Sequence, residues 1–403
     1  MGLLPAAADR LFSCAVRVNG AASDSLLRCV QSITVDEDIA EGSSARIELS
    51  ACRNPDGSWP YLEDPNLKPW NRITLLVLFP QQTETVFDGY IAQVGCRTHE
   101  DTQNMTVHIA AVDASYHMNQ DEKMRIWRGQ HYEDIARAIF AEYQFKPQVA
   151  DPPDGATPPP QTAQRSTDHA FLRELARRRG YEFYVLGGNA YFRPAQLDGA
   201  PQKLIAVNFG EQSNAYQVEF ESDGTAATAA SLAWFDALEG KADSAEAVAS
   251  GLAPQGTELL ATLRGGVGMP QATRVARGHG FHSGAQAAEY AAGMLRRHGW
   301  WVSARGRLNG LKYGAVLRTR RTVGVKGAGA VYNGLYYVRQ VQHHIGPRSY
   351  EMQFQLVRNG QGELGSEDFE GEHPDAPVPA AMGAGPDPDP IEVAEGGPRV
   401  LPA

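Results

Sequence analysis

The sequence predicts a mainly β protein in which two antiparallel β-modules flank a small α/β insert. Three observations lead there. Apolar and polar residues alternate with period two in the first quarter of the chain and again near residue 350. Between those stretches, apolar residues change to helical spacing. Turn clusters such as Asn54-Pro55-Asp56-Gly57 and Asp64-Pro65-Asn66 punctuate the alternating segments.

The first module is expected over residues 1–116. Cys14, Val16 and Val18 alternate with polar or small neighbours, as do Ile47 and Leu49, and Met105, Val107, Ile109 and Ala111. Further strands are predicted at 73–79 and 86–94. Short strands with turns between them point to a small barrel or sandwich.

The insert is expected over 117–200. Tyr132, Ile135, Ala136, Ile139, Phe140 and Tyr143 share one helical face. A proline-rich loop at 151–160 cannot be regular structure. A second helix is predicted over Asp168–Arg179. Asp168 is placed at its N-terminal end, where a carboxylate can accept from free amides. Arg177, Arg178 and Arg179 suit the C-terminal end of the helix dipole, and Gly180 supplies the stop. Strands at 181–186 and 189–193 follow, joined by a tight Gly187-Gly188 hairpin.

The second module is expected over 201–360. Its Ala-rich stretch 224–251 is ambiguous between loop and weak helix. Residues 283–298 form a helix, capped by Ser283, with Ala287, Ala291, Met294 and Leu295 as a narrow apolar stripe and Gly299 at its end. Tyr350, Met352, Phe354 and Leu356 mark the clearest late strand. Residues 361–403 collapse into Pro, Gly and acid, a composition expected to be disordered.

Composition limits what the chain can do. Its 403 residues suffice for two or three domains, and 42% hydrophobic with 21% charged residues suits a globular protein. No apolar run of about 18 residues occurs, so neither a membrane-spanning helix nor direct membrane insertion is expected. Met1 to Phe12 lacks the pattern of a signal peptide, so folding in a cytoplasm is expected. The formal net charge is −10, from 37 basic and 47 acidic residues. Ten of those acids and one Arg lie in 361–403, leaving 36 basic against 37 acidic elsewhere. The body is thus close to neutral, and nothing suggests specific nucleic-acid binding. Cys14, Cys29, Cys52 and Cys96 form no CxxC pair, which argues against zinc and for reduced, buried thiols.

Candidate chemistry is sparse. His279 and His282 form an HxxH pair, but the neighbouring glycines indicate a loop and no third ligand is near. His343 and His344 are adjacent on a predicted strand and point to opposite faces. The glycine-rich 324–329 stretch lacks the order that cradles phosphate and reads as a hairpin. Glu174 and Glu182 could be paired carboxylates for glycoside cleavage. Glu174, beside Arg173 and Arg177, reads better as a solvated ion pair. The arginines at 177–179 could hold a phosphate, but helix-end stabilisation or an interface explains them more simply. No cofactor or metal is called for.

The segment 168–183, DHAFLRELARRRGYEF, resembles the D-x-x-F-L-x-x-L-A-x-x-x-G-Y-x-F signature of the late control protein D family of contractile phage tails. Type VI secretion spike proteins of the valine-glycine repeat type share a version of it. Ile126-Trp127-Arg128-Gly129 with the helix after it, Phe87-Asp88-Gly89-Tyr90-Ile91, the hairpin ending Tyr191-Phe192-Arg193, and the closing strands at 332–338 and 350–360 resemble further elements of that family in the same order. The signature is a packing motif. Phe171, Leu172, Leu175 and Ala176 share a helical face that can pack on a sheet bearing Phe183, Val185 and Phe192, and burying Phe171 and Leu175 contributes roughly 1.5–3 kcal/mol each. Trp127, Ile135, Asp168 and Gly180 complete the expected packing set.

The resemblance implies two tube-like antiparallel β-barrel modules and a homotrimeric central hub of a baseplate, adapting a sixfold tail tube to a threefold spike. Expected partners are two further copies of the chain, a tail tube protein, a separate spike protein and baseplate wedge or tape-measure proteins. DNA or cargo would pass through the channel without specific binding. The chain would assemble in a bacterial cytoplasm, end at the tail baseplate and not be an enzyme. Two other readings are a tail-associated cell-wall hydrolase and an effector-carrying spike protein.

Overall fold

The computed structural model describes residues 13–365 except 81, 99, 101–103, 237–239, 279–282 and 348. Its backbone is mostly antiparallel strand, organised around one 13-stranded sheet. The first part of the chain supplies β1 (Ser13–Val18), β2 (Val30–Asp38), β3 (Ser44–Cys52), β4 (Arg72–Leu78), β5 (Thr83–Thr98) and β6 (Asn104–Asp113). Alternation decides which face each buries: Ile33 and Val35 on β2, Ile47 and Leu49 on β3, Val107 and Ile109 on β6 all point into one core. β5 runs past the 86–94 stretch that its apolar residues mark. Its last residues, 95–98, are exposed or half-buried and continue the backbone pairing, with Cys96 opposite Val107 and Thr98 opposite Met105.

The insert follows as β7 (Glu122–Arg128), α1 (Tyr132–Glu142), β8 (Lys146–Val149), β9 (Gln161–Thr167), α2 (Asp168–Arg179), β10 (Glu182–Leu186) and β11 (Asn189–Arg193). β7 pairs with β9, while β10, β11 and β8 form a three-stranded sheet. Gly187 and Gly188 both take positive φ, 57° and 81°, which makes the two-residue turn between β10 and β11 fit the strand twist. The two helices and this sheet enclose a core of their own, containing Ile135, Phe140, Phe171, Leu172, Leu175, Phe183, Val185 and Phe192. Leu175 is fully buried there. Leu175→Ala is expected to destabilise the protein by about 2–5 kcal/mol, read from urea denaturation.

The remaining chain supplies β12 (Gln202–Ala206), β13 (Ala215–Ser222), β14 (Ala229–Asp236), β15 (Lys241–Ala247), β16 (Thr273–Gly278), α3 (Gly284–His298), β17 (Val302–Asn309), β18 (Thr322–Lys326), β19 (Gly334–Ile345) and β20 (Tyr350–Arg358). The large sheet runs β13-β17-β20-β19-β2-β3-β6-β5-β4-β1, ending on the short strand Ala21–Ala22, with β18 and β12 branching from β19. Only β12 with β18 is parallel. The two β-modules therefore meet edge to edge, β19 against β2 from Gln340↔Asp38 to Ile345↔Ile33, and share one hydrophobic core.

Two sequence expectations change. The Ala-rich 224–251 stretch is neither loop nor helix: β14 and β15 form an antiparallel pair within it, and β16 adds in parallel on the other side. Leu232 and Trp234 face α3, but the positions between and beside them are Ser231, Ala233 and Phe235, so period-two contrast is weak in the sequence. This small sheet packs on Ala287, Ala291, Met294 and Leu295 of α3 and makes a third core. The cysteines are all free, but they are not buried thiols: Cys14 and Cys29 are half-buried, while Cys52 and Cys96 are exposed. Cys52 ends β3 on an outward position, and its Sγ contacts Asn104 Oδ1 at 3.2 Å.

Candidate assembly surface

The side of the large sheet opposite the core is polar and crosses the joint between the modules without a break. One row runs Tyr216, Arg307, Gln353, Gln342, Asp36 and Ser44 across five strand pairings. The next runs Asn309, Glu351, His344, Thr34, Arg46 and Ala110. Cross-strand bonds run within and between these rows: Gln342 Nε2 donates to Asp36 Oδ1 at 2.5 Å in the first, and Arg307 pairs with Glu351 of the second at 3.5 Å. A half-buried polar face of this extent can line a wall or receive another subunit.

Behind the joint sits a buried charged cluster. Glu37, the third inward position on β2, accepts from Arg318 Nη1 at 3.0 Å, Thr319 N at 3.2 Å and Thr319 Oγ1 at 3.1 Å. Arg318 also donates to the carbonyls of Val86 and Thr85, and Arg320 donates to those of Asp38 and Glu41. The 318–320 segment thus clamps strands of both modules. Burial pushes the Glu37 carboxyl up, but Arg318 and its other partners outweigh that and hold it below its ordinary value. His343 is fully buried, with Nδ1 3.0 Å from the Tyr350 hydroxyl and Nε2 3.8 Å from Glu37. Burial drives its imidazole down to about 4.

Both shifts act in one direction with pH. Between about 6.5 and 4 the unfolded chain takes a proton on His343 that the folded chain refuses, so stability falls as pH drops. Below the usual Glu value of 4.5, Glu37 adds a further loss as it is protonated. The protein is expected to lose up to about 3 kcal/mol from His343 between neutral pH and pH 4, and His343→Gln to flatten that slope in urea melts at stepped pH.

The insert is fixed by a second set of contacts. Asp168 is fully buried but does not cap its helix. Thr167 does so, accepting from Ala170 N at 3.2 Å. The Asp168 carboxylate instead accepts from Gln164 Nε2 at 2.6 Å, the Tyr143 hydroxyl at 2.8 Å and Lys123 Nζ. Trp127, partly buried against the insert core, donates to Gln164 at 3.1 Å, so the tryptophan and the aspartate are linked through one amide. Gly180 caps α2 at φ +66° and lies so close to α3 that a Cβ there would be 2.5 Å from the Gly293 carbonyl. Arg179 is buried, ion-paired to Glu133 at 3.1 Å and to Glu289, so it ties α1, α2 and α3 together. Arg296 Nη1 donates to the Arg179 carbonyl at 2.6 Å. Toward the large sheet, both Glu182 carboxylate oxygens lie 2.8 Å from the Tyr337 hydroxyl, which donates to them, and Arg320 stacks over Tyr184.

The ten packing residues read from the signature fall into this frame. Ile135, Phe171, Leu172, Leu175, Ala176, Phe183 and Phe192 are in the insert core. Trp127 and Asp168 belong to its polar chain, and Gly180 stands at the helix crossing. Among the described residues, the chemical candidates are not brought together into one set. Glu174 and Glu182 line one cleft, but Glu174 pairs with Arg177 at 2.9 Å and Arg178 at 3.1 Å, and Glu182 is held by Tyr337. His343 and His344 point to opposite faces, one buried and one half-buried. The 324–329 stretch is the end of β18 and the turn after it. His279 and His282 lie outside the described residues. Among the described residues no cluster of three or more His, Cys, Asp or Glu could hold a metal, and no helix is long and apolar enough to cross a membrane. Sequence reading missed Glu37 and Arg318, and marked His343 only as one of two adjacent strand histidines on opposite faces. The available signal was an acid in the inward phase of β2, after Ile33 and Val35, where an unpaired charge would be costly.

Known proteins bear on this fold. Residues 8–347 match the family described as the Alg8 N-terminal domain. No curated protein matches the sequence. Among solved structures, the 43 kDa tail protein of prophage MuSo2 from Shewanella oneidensis superposes with a TM-score of 0.62 at 14% identity, covering 86% of this chain and 98% of its own. A tail protein from Neisseria meningitidis gives 0.60 at 10% identity, over 86% and 97%. An E. coli protein described as a component of the type VI secretion system, similar in structure to the T4 bacteriophage tail proteins gp27 and gp5, gives 0.51 at 12% identity, over 85% and 76%. At these identities the likeness is one of fold.

Proposed function

We propose that this chain, a member of the Alg8 N-terminal domain family, is a structural part of a contractile tail or tail-like injection particle, on the ground that it has the fold of phage tail proteins. In this reading it is the homotrimeric central hub of the baseplate. The observation that carries the reading is the edge-to-edge union of two antiparallel modules in one sheet with a continuous polar face. One chain supplies two adjoining arcs, so three chains supply six, which suits a junction between a sixfold tube and a threefold spike. The tube protein would meet one side of the ring and a separate spike protein the other. The particle, not a membrane, is its working place.

Native mass spectrometry and electron microscopy of the purified protein test this directly. The expected result is a trimer with threefold density that binds tube and spike proteins. A stable monomer that binds neither sinks the proposal. We propose further that the role is mechanical and not catalytic: a peptidoglycan zymogram should stay clear of lysis, and lysis abolished by Glu174→Gln or Glu182→Gln would establish the hydrolase reading instead.

A further inference from the structure

We propose that the cleft between the insert and the α3 unit is a binding site for an acidic peptide, and that its occupant is the acidic segment of this same chain that begins at Glu367. The cleft has a volume of about 1220 Å³ and is walled by α2, the C-terminal end of α3 and the rim of the large sheet. Arg173, Arg274, Arg297 and Arg339 line it, with His298 among them. Among the described residues, the side chains of Arg173, Arg274 and Arg339 have neither a hydrogen bond nor an ion pair, and Arg297, whose guanidinium bonds Tyr290, keeps a buried Nε without an acceptor. After burial, the influences that lower the His298 imidazole are Arg274, Arg297 and Arg339, which places three guanidinium groups around one spot. Arg173 and Arg274 are exposed and Arg339 is half-buried, so these like charges repel one another across open solvent and attract an anion most strongly at low salt.

The carboxylates of the cleft do not fill that need. Glu174 is shared by Arg177 and Arg178, and Glu182 is held by Tyr337. Asp113 accepts from Ser43 and Ser115, and Asp223 accepts from Thr225. Glu41 is the one lining carboxylate without a side-chain partner among the described residues. The chain itself carries the complement. Residues 367–375, EDFEGEHPD, hold five carboxylates. The chain passes close to the cleft rim at Gln361, before Glu363 pairs with Lys326 at 3.6 Å. Gln361 Nε2 donates to Ser222 Oγ at 2.9 Å, and Asp223, the next residue, is part of the rim. Ten extended residues span roughly 33 Å, enough to cross the opening.

Hydrogen–deuterium exchange on the full chain tests the assignment. The parent is compared at low salt with a tail variant, E367Q/D368N/E370Q/E372Q/D375N, and with a cleft variant, R274E/R339E. Amides at 294–300 and 337–340 should exchange at least about fivefold faster in both variants, and added salt should erase the difference. Combining R274E/R339E with Glu367→Lys, Asp368→Lys and Glu370→Lys should restore protection, which a merely destabilised cleft would not show. Exchange that is unchanged by the tail substitutions overturns the proposal. So does protection that responds to an added oligonucleotide but not to the tail.

Discussion

Glu37→Ala will lower the unfolding free energy by about 3–5 kcal/mol, the largest loss expected from a single side chain at the joint between the two modules. The reason is what it strands. Arg318 keeps two backbone carbonyls but loses its only carboxylate, and the amide and hydroxyl of Thr319 lose their acceptor in a buried position. Glu37→Gln keeps an acceptor and should lose less. Denaturant titration measures the total. Hydrogen exchange should place the first opening at the β2–β19 pairing, Asp38↔Gln340 to Ile33↔Ile345. A loss under about 1 kcal/mol would mean that the cluster behaves as a solvated surface pair.

Gly180→Ala is expected to rank beside it. A Cβ at this position is strained by φ +66° and would stand 2.5 Å from a backbone carbonyl of α3, which no rotamer change can relieve. The two helices must part, drawing Arg296 from the Arg179 carbonyl and loosening the buried Arg179–Glu133 pair. A loss of at least about 3 kcal/mol is expected, with Gly293→Ala close behind, since its Cβ would lie 2.6 Å from the Arg178 carbonyl. Both changes break one contact, so the double variant should fall well short of the sum in thermal or urea melts.

Local rules made much of the fold legible in advance. Asp168–Arg179 and Tyr350–Arg358 stand where their periodicity puts them, because each buries a regular face and ends on a clear signal. Legibility fails where pairing or long-range contact takes over from pattern. β14 and β15 carry too many alanines to announce a strand, yet Leu232 and Trp234 suffice once α3 covers them. Asp168 sits where a cap belongs, but Lys123, Tyr143 and Gln164 come from elsewhere in the chain to claim it, and Thr167 takes the capping role. The Glu37 cluster is the extreme case. Its partners are at residues 318, 319 and 343, and no local window could connect them.

The pairing of β2 with β19 also sets an order of events during synthesis. Asp36 and its partner Gln342 are 306 residues apart in sequence. When the first module leaves the ribosome, the β2 edge therefore has a full row of open amides and carbonyls and no mate. At about 5–20 residues per second, that edge waits tens of seconds for β19 to be made. An unpaired edge is a template for the wrong neighbour, and Asp36, Glu37 and Asp38 place three consecutive acids along it. On a polysome crowded with identical nascent chains, those charges would repel the same edge of the next copy until the proper strand arrives.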